Sequence, residues 1–218
     1  LLLVNYALIG QQVDFSQRHK FKTVIGSRRA SVALRDVASY FSWKFVESGF
    51  TVVSGLAEGI DTAAHLGALK SDATHPRTVA IVSTAPSELY YPAANRQLAE
   101  RIKQHGAILH PFVTKAKWER GVRFGQPQKR LVERDILQAS LSSEVYVVSD
   151  DPVISGGSRW VLNYAKYLGV STYRIDSVGN IHPDPDFVVE KKLIPWELEL
   201  AWEDLTRLLQ HPCTCMRW

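Results

Sequence analysis

Short apolar runs alternate along the chain with segments of helical period, and turns rich in Gly, Pro and Ser separate them. Phe21–Ile25 reads as a buried strand, broken by Gly26-Ser27-Arg28-Arg29-Ala30-Ser31. Val32–Glu47 then places Val37, Phe41, Lys44 and Phe45 near one helical face, and Gly49 stops it. A strand over Thr51–Ser54, a turn over Gly55–Gly59 and a helix over Ile60–Lys70 follow. The same unit repeats as strand Thr78–Ser83, helix Ala94–Gln104 and strand Ala107–Leu109. His110–Gln126 has no clear period and reads as a long loop, and loops of that length are usually functional or mobile. Helix Gln128–Ser142, strand Glu144–Ser149, glycine turn Ser155–Ser158, helix Arg159–Leu168 and strand Ser171–Ile175 complete the pattern. Strand–helix units with apolar strands predict an α/β fold: a mostly parallel sheet with helices on both faces.

Two segments flank this pattern. Residues 1–20 form an N-terminal stub. Asp176–Asp186 reads as a Pro/Asp/Gly linker, and the Leu/Trp-rich stretch Phe187–Gln210 predicts a short helical C-terminal appendage. The predicted organisation is therefore 1–20 stub, 21–176 α/β domain and 177–218 acidic appendage. The appendage is too short for a core of its own and must dock on the domain, a partner or another copy. The chain opens on Leu1 and its single methionine is Met216, which places the expected start further upstream.

Composition narrows the class. With 218 residues, 45% of them hydrophobic and 22% charged, the chain is an ordinary globular protein. No apolar run approaches the ~20 residues of a membrane span, and Leu1–Val4 lacks a signal peptide's basic leader, so a cytoplasmic protein is expected. The two cysteines, Cys213 and Cys215, read as reduced thiols in a tail, with no metal site expected.

The net charge of +4 conceals a strong division. Residues 1–35 carry six Lys/Arg against one Asp, and residues 115–134 carry seven against two Glu. Residues 176–218 reverse the sign, with four basic against eight acidic side chains. Concentrated basic charge attracts a polyanion, although such runs also occur as solvated faces.

In an open parallel sheet, ligands bind at the carboxyl ends of the strands. Three turns predicted there carry the candidate chemistry. Gly26, Ser27, Arg28, Arg29 and Ser31 combine close backbone approach, helix N-terminal N–H groups and guanidinium forks, the donors that suit a phosphate. Gly55, Gly59 and Asp61 form the second turn, whose G-x-x-x-G spacing is not the dinucleotide fingerprint. Asp61 also suits a helix cap, and His65 suits a packed histidine. Gly156, Gly157 and Ser158 repeat the phosphate logic before a later helix. In and after the long loop, Lys129, Arg130 and other basic residues interleave with Trp118 and Phe124. These aromatic rings either stack on bases or anchor the loop in the core. Paired catalytic carboxylates, H-E-x-x-H, G-x-S-x-G and a Cys/His nucleophile set are all missing from the sequence, which therefore reads as a binding module before an enzyme.

The motif series resembles a family. V-I-G-S-R-R-A-S at 24–31, V-V-S-G-L-A-E-G-I-D-T-A-A-H at 52–65, Tyr91-Pro92-Ala93-Ala94-Asn95 and the Ser155–Ser158 turn resemble, in order and spacing, the DprA/Smf DNA-processing proteins. The resemblance implies an extended Rossmann-like fold that binds single-stranded DNA, loads a RecA-type recombinase and pairs as a homodimer. By position, Gly26, Ser27 and Arg28 match the family's phosphate-contacting turn, and Gly55, Gly59 and Asp61 its second turn. The usual F-P-x-R-N-R-I-I-A-G-L-S departs here: Arg134 aligns with the first arginine, Asp135 with the asparagine and Ile136 with the second arginine. The acidic Asp135 and the lost arginine weaken that phosphate patch, Lys129 and Arg130 compensate, and the resemblance places phosphates along Arg28, Arg29, Lys129, Arg130 and Arg134. The wider superfamily includes phosphoribohydrolases, whose P-G-G-x-G-T-x-x-E pattern fails at Ser155, Arg159, Trp160 and Asn163. The first expectation is a single-stranded DNA-binding mediator of recombination, without cofactor. The alternative is a divergent regulatory module of an anti-phage or toxin–antitoxin system, which neutralises a co-encoded toxin or senses a nucleotide ligand. An enzyme acting on a nucleotide is the third reading.

Overall fold

The computed structural model describes residues 6–116 and 126–187. The acidic stretch beyond 187, with its two cysteines, and the loop residues Trp118 and Phe124 lie outside the described residues. The order of elements is β1 (Ala7–Gly10), β2 (Phe21–Gly26), α1 (Val32–Glu47), β3 (Thr51–Ser54), α2 (Ile60–Ala68), β4 (Thr78–Ile81), α3 (Arg96–His105) and β5 (Ala107–His110). Then come α4 (Gln126–Leu141), β6 (Glu144–Val148), β7 (Val153–Ile154), α5 (Ser158–Tyr167), β8 (Ser171–Ile175), β9 (Ile181–Pro183) and β10 (Asp186–Phe187).

Eight strands make one sheet in the order β1-β5-β4-β3-β2-β6-β8-β9. The six inner strands run parallel, while β1 and β9 join antiparallel at the two edges. From β2 the chain winds outward through β3, β4 and β5, then returns to lay β6 on the other side of β2. The winding reverses between β2 and β6, where Gly26 pairs with Val148. Such a switch point opens a crevice beyond the strand ends.

Both faces of the sheet are covered, which explains why β3 and β4 are buried at every position instead of at alternate ones. Val24, Val52, Tyr146 and Val148 face α1 and α2, with Ala38, Val46, Ala64 and Ala68 filling the interface. Ile25, Val53, Val145 and Val147 face the other way, toward Ile136 and Leu137 of α4 and Val161 and Leu162 of α5. A third cluster seats Leu98 and Ile102 of α3 on Ala80 and Ile108.

α1 and α2 meet most closely at Gly67, where an added Cβ would lie 2.6 Å from both the carbonyl carbon and Cα of Ser39. Backbone cannot yield there as a flexible side chain would. Gly67→Ala should therefore destabilise the protein by about 1–3 kcal/mol, the usual penalty of overpacking. The result to measure is a lower urea midpoint with an unchanged slope, and an unshifted midpoint would contradict it.

Two differences from the sequence reading concern the ends of the domain. The stub supplies β1, which pairs with β5 from Ala7↔His110 to Gly10↔Ala107. The expected linker supplies β9, which pairs with β8. The sheet thus extends beyond 21–176 on both sides. In the second case polar chemistry builds the turn: Asp176 accepts from the backbone N–H groups of Val178 and Asn180 and from the Asn180 and His182 side chains. These bonds, the His182 contact first, hold the Asp176 carboxyl below its ordinary range.

A cleft at the switch point

The carboxyl ends of β2, β3 and β6 open into one cleft of about 780 Å³. Gly26, Ser27, Arg28 and Arg29 line it from the first turn, Gly55 and Asp61 from the second, and Gly156, Gly157 and Ser158 from the third. Arg134, Asp135 and Gln138 of α4 close its floor. The three turns singled out in the sequence are therefore brought together, although their chemistry is not shared evenly.

The first turn is the open one. Ser27, Arg28 and Arg29 are exposed, and the backbone N–H of Arg29 donates to the Ser27 hydroxyl at 3.0 Å, which folds the turn on itself. Ser31 lies outside the cleft. Its hydroxyl accepts from the Leu34 N–H at 3.3 Å and caps α1, so the local helix end takes the group that was expected to contact phosphate. The third turn leaves more available. Gly157 caps α5 without any side-chain acceptor, and the first N–H groups of that helix follow beside the cleft.

The second turn is a buttress. The buried carboxylate of Asp61 accepts from the Gly55 and Ala57 N–H groups, each at 3.2 Å. It thus holds the turn rather than capping α2, whose cap is Gly59. The Ile60 N–H donates to the Ser27 carbonyl at 3.2 Å, tying the second turn to the first. Gly59 makes that contact possible: it has φ +77, and a Cβ there would lie 2.7 Å from the Arg28 carbonyl group. Amides consumed in this way are not offered to a ligand. Burial raises the Asp61 carboxyl above its ordinary range, and Arg134 opposes that shift.

α4 corrects the reading of the basic residues. Arg130 is 1% exposed, donates to the Thr114 carbonyl at 2.6 Å and lies over the Phe112 ring at 4.6 Å. It anchors the chain entering the long loop, away from the cleft lining. Lys129 is half-buried on the same helix and also outside that lining. Arg134 does reach the cleft, but it is 9% exposed and its guanidinium is directed inward. Nη1 donates to the Gly55 carbonyl, and Nε donates to Asp135 at 3.1 Å. Burial pushes the Asp135 carboxyl up to about 6, against the pull of Arg134 and with the help of nearby Asp61. One arginine thus pairs with buried Asp135 and interacts electrostatically with buried Asp61.

Sequence reasoning left Asn95 without a role. Its amide donates to the Leu56 carbonyl at 2.9 Å, the Ala57 carbonyl at 3.1 Å and the Thr62 hydroxyl at 2.8 Å. That clamp holds Leu56 at φ 60, a conformation a branched apolar residue adopts only under constraint. The sequence signal was its place at the end of Tyr91-Pro92-Ala93-Ala94-Asn95, inside the stretch read as helix Ala94–Gln104, whereas α3 starts only at Arg96. His65 is fully buried and bonded to the Thr78 hydroxyl at 2.7 Å, and burial holds its imidazole down to about 3. Among the described residues no group of three or more His, Cys, Asp and Glu side chains is placed to hold a metal. No described helix is long and apolar enough to cross a membrane.

Known proteins resemble the chain in sequence and fold. The chain is 40% identical over 140 residues to protein Smf of Synechocystis, a match that covers 64% of this chain and 32% of that protein. It is 31% identical over 98 residues to the DNA processing protein DprA of Bacillus subtilis, covering 44% of this chain and 32% of the relative. Each match thus spans about a third of the relative's length. Among solved structures, DprA of Streptococcus pneumoniae superposes with a TM-score of 0.60 at 27% identity, over 78% of this chain and 54% of that one. DNA processing protein A of Helicobacter pylori, described in a study of its single-stranded DNA binding mode, superposes with a TM-score of 0.64 at 20% identity, over 78% and 71%. Residues 9–176, from β1 to just past the end of β8, match the family of DNA recombination-mediator protein A. The chain belongs to that family, the DprA/Smf DNA-processing proteins.

Proposed function

We propose that the switch-point cleft binds the phosphates of single-stranded DNA. The observation that carries this reading is the convergence of two open phosphate-type turns on one cleft. Arg28 and Arg29 stand exposed at its first turn, and the uncapped start of α5 lies at its third. Guanidinium forks and a helix N-terminus without a side-chain cap both favour an anion, and neither reads sequence. The second turn, Asp61, Asn95 and Arg134 hold that surface in shape from beneath. The single-stranded DNA binding described for the Helicobacter pylori relative agrees with this assignment.

The test is a salt titration with a short thymidine strand, followed by fluorescence anisotropy. Binding should weaken with salt at a log–log slope of about −0.7 for each phosphate neutralised. Arg28→Ala should weaken binding and flatten the slope by about 0.7, because one contact is lost. Salt-dependent binding that Arg28→Ala leaves untouched would move the site elsewhere. Absence of strand binding, with tight binding to a protein partner instead, would overturn the reading in favour of a regulatory module.

A further inference from the structure

Tyr91 is 63% exposed and borders the same cleft as Ser27 and Arg28. Isolated exposed tyrosines are ordinary. This one differs in where it stands and in how it is held. Its neighbours fix the backbone: the Arg96 guanidinium donates to the Tyr90 carbonyl at 3.3 Å, and the Asn95 N–H donates to the Pro92 carbonyl at 3.1 Å. The Asn95 amide then fastens the segment to the second turn. The ring is thus presented at the mouth of the cleft on a tethered arm, not on a mobile tip. The cleft's other large aromatic, Trp160, is committed to the fold, since it packs on the core and takes the Arg159 guanidinium over its ring at 5.5 Å.

Phosphate-type donors and an exposed aromatic face on one cleft are the two components of a surface for single strands. Cationic groups and helix ends track the backbone, while aromatic rings take the bases without regard to sequence. We infer that Tyr91 is the base-stacking platform of the cleft: with a phosphate at the Arg28 turn, the base of a neighbouring nucleotide lies on the Tyr91 ring. This inference rests on the phosphate reading above and adds the nucleobase as the second group recognised. Tyr91 replaces neither Trp118 nor Phe124, which lie outside the described residues; among the described residues it is the exposed aromatic on the cleft.

The experiment compares two strands of equal length and charge, a thymidine 12-mer and its abasic counterpart, binding to the wild-type chain, Tyr91→Ala and Tyr91→Trp. Tyr91→Ala should weaken the thymidine strand about 5- to 150-fold, the equivalent of about 1–3 kcal/mol of stacking. It should leave the abasic strand's affinity and the salt slope unchanged. Tyr91→Trp should keep or improve the thymidine affinity, and its fluorescence should be quenched on binding. Equal loss on both strands, or no loss on the thymidine strand, overturns the platform and leaves the phosphate reading standing. A wild-type chain that binds neither strand overturns the phosphate reading, and the platform with it.

Discussion

Arg134→Leu should cost the fold about 3–5 kcal/mol at pH 7.5, the loss expected when one partner of a buried charge group is removed. The guanidinium interacts electrostatically with Asp61 and donates to the Gly55 carbonyl and to Asp135. Leucine fills much of the volume but leaves two buried carboxylates without their cation and a buried carbonyl without its donor. The pH dependence gives the cause. Both carboxyls are already raised by burial, Asp135 to about 6, so the folded chain holds these protons more tightly than the unfolded chain, where Asp titrates near 3.9. For a raised carboxyl the stabilising contribution is fully present below about pH 4 and is lost as pH rises through the folded value near 6. Without the arginine both values rise further. The penalty of Arg134→Leu should therefore be large at pH 7.5 and smaller at pH 5, where the orphaned carboxyls are protonated. Urea midpoints of both proteins at the two pH values read this directly. Equal midpoints at pH 7.5, or a gap that widens in acid, would contradict the placement of Arg134.

Arg134, which its alignment places in a phosphate patch and the fold turns inward, shows where sequence stops. The interior of the sheet was legible because its signal is local. Runs such as Thr51–Ser54 and Ser171–Ile175 are rich in β-branched or aromatic residues and bounded by turns, and both match their strands end to end. Ala7–Gly10 and Ile181–Pro183 are short, partly exposed and defined by pairing with β5 and β8, which no local pattern announces. The site divides in the same way. The Gly26–Ser31 and Ser155–Ser158 turns follow from local chemistry, glycine before a helix start. The buttress depends on partners far along the chain: Asn95 reaches Leu56 across 39 residues, and Arg134 reaches Gly55 across 79. A basic residue aligned with a phosphate patch gives the same sequence signal whether it points out to a ligand or in to a carbonyl. Burial decides, and burial is a property of the fold.

On the phosphate reading proposed above, Asp135, the acidic departure from the motif that the sequence resembles, opposes the strand. Asp135→Asn should tighten the thymidine strand by about ten- to thirtyfold at pH 7.5. Asp135 shares the cleft with the Arg28 turn, and its carboxylate is close enough to Arg28 for their charges to interact. At an effective dielectric near 20, two like unit charges about 8 Å apart repel by about 2 kcal/mol, which sets the scale of the expected effect. The carboxamide keeps the shape and can still accept from Arg134 Nε, so the floor stays packed while the repulsion goes. In the wild-type chain a proton does the same work. Burial raises Asp135 to about 6, so the charge is present at pH 7.5 and largely removed by pH 5, and strand affinity should climb across that interval. The buried histidines do not supply this rise, because burial holds His65 down to about 3 and lowers His110 as well. The two pH profiles should therefore differ: the wild-type profile should be steep between pH 7.5 and 5, and the variant's shallower. Parallel profiles, or a variant that binds more weakly at pH 7.5, would mean that no phosphate of the strand comes near the floor of the cleft.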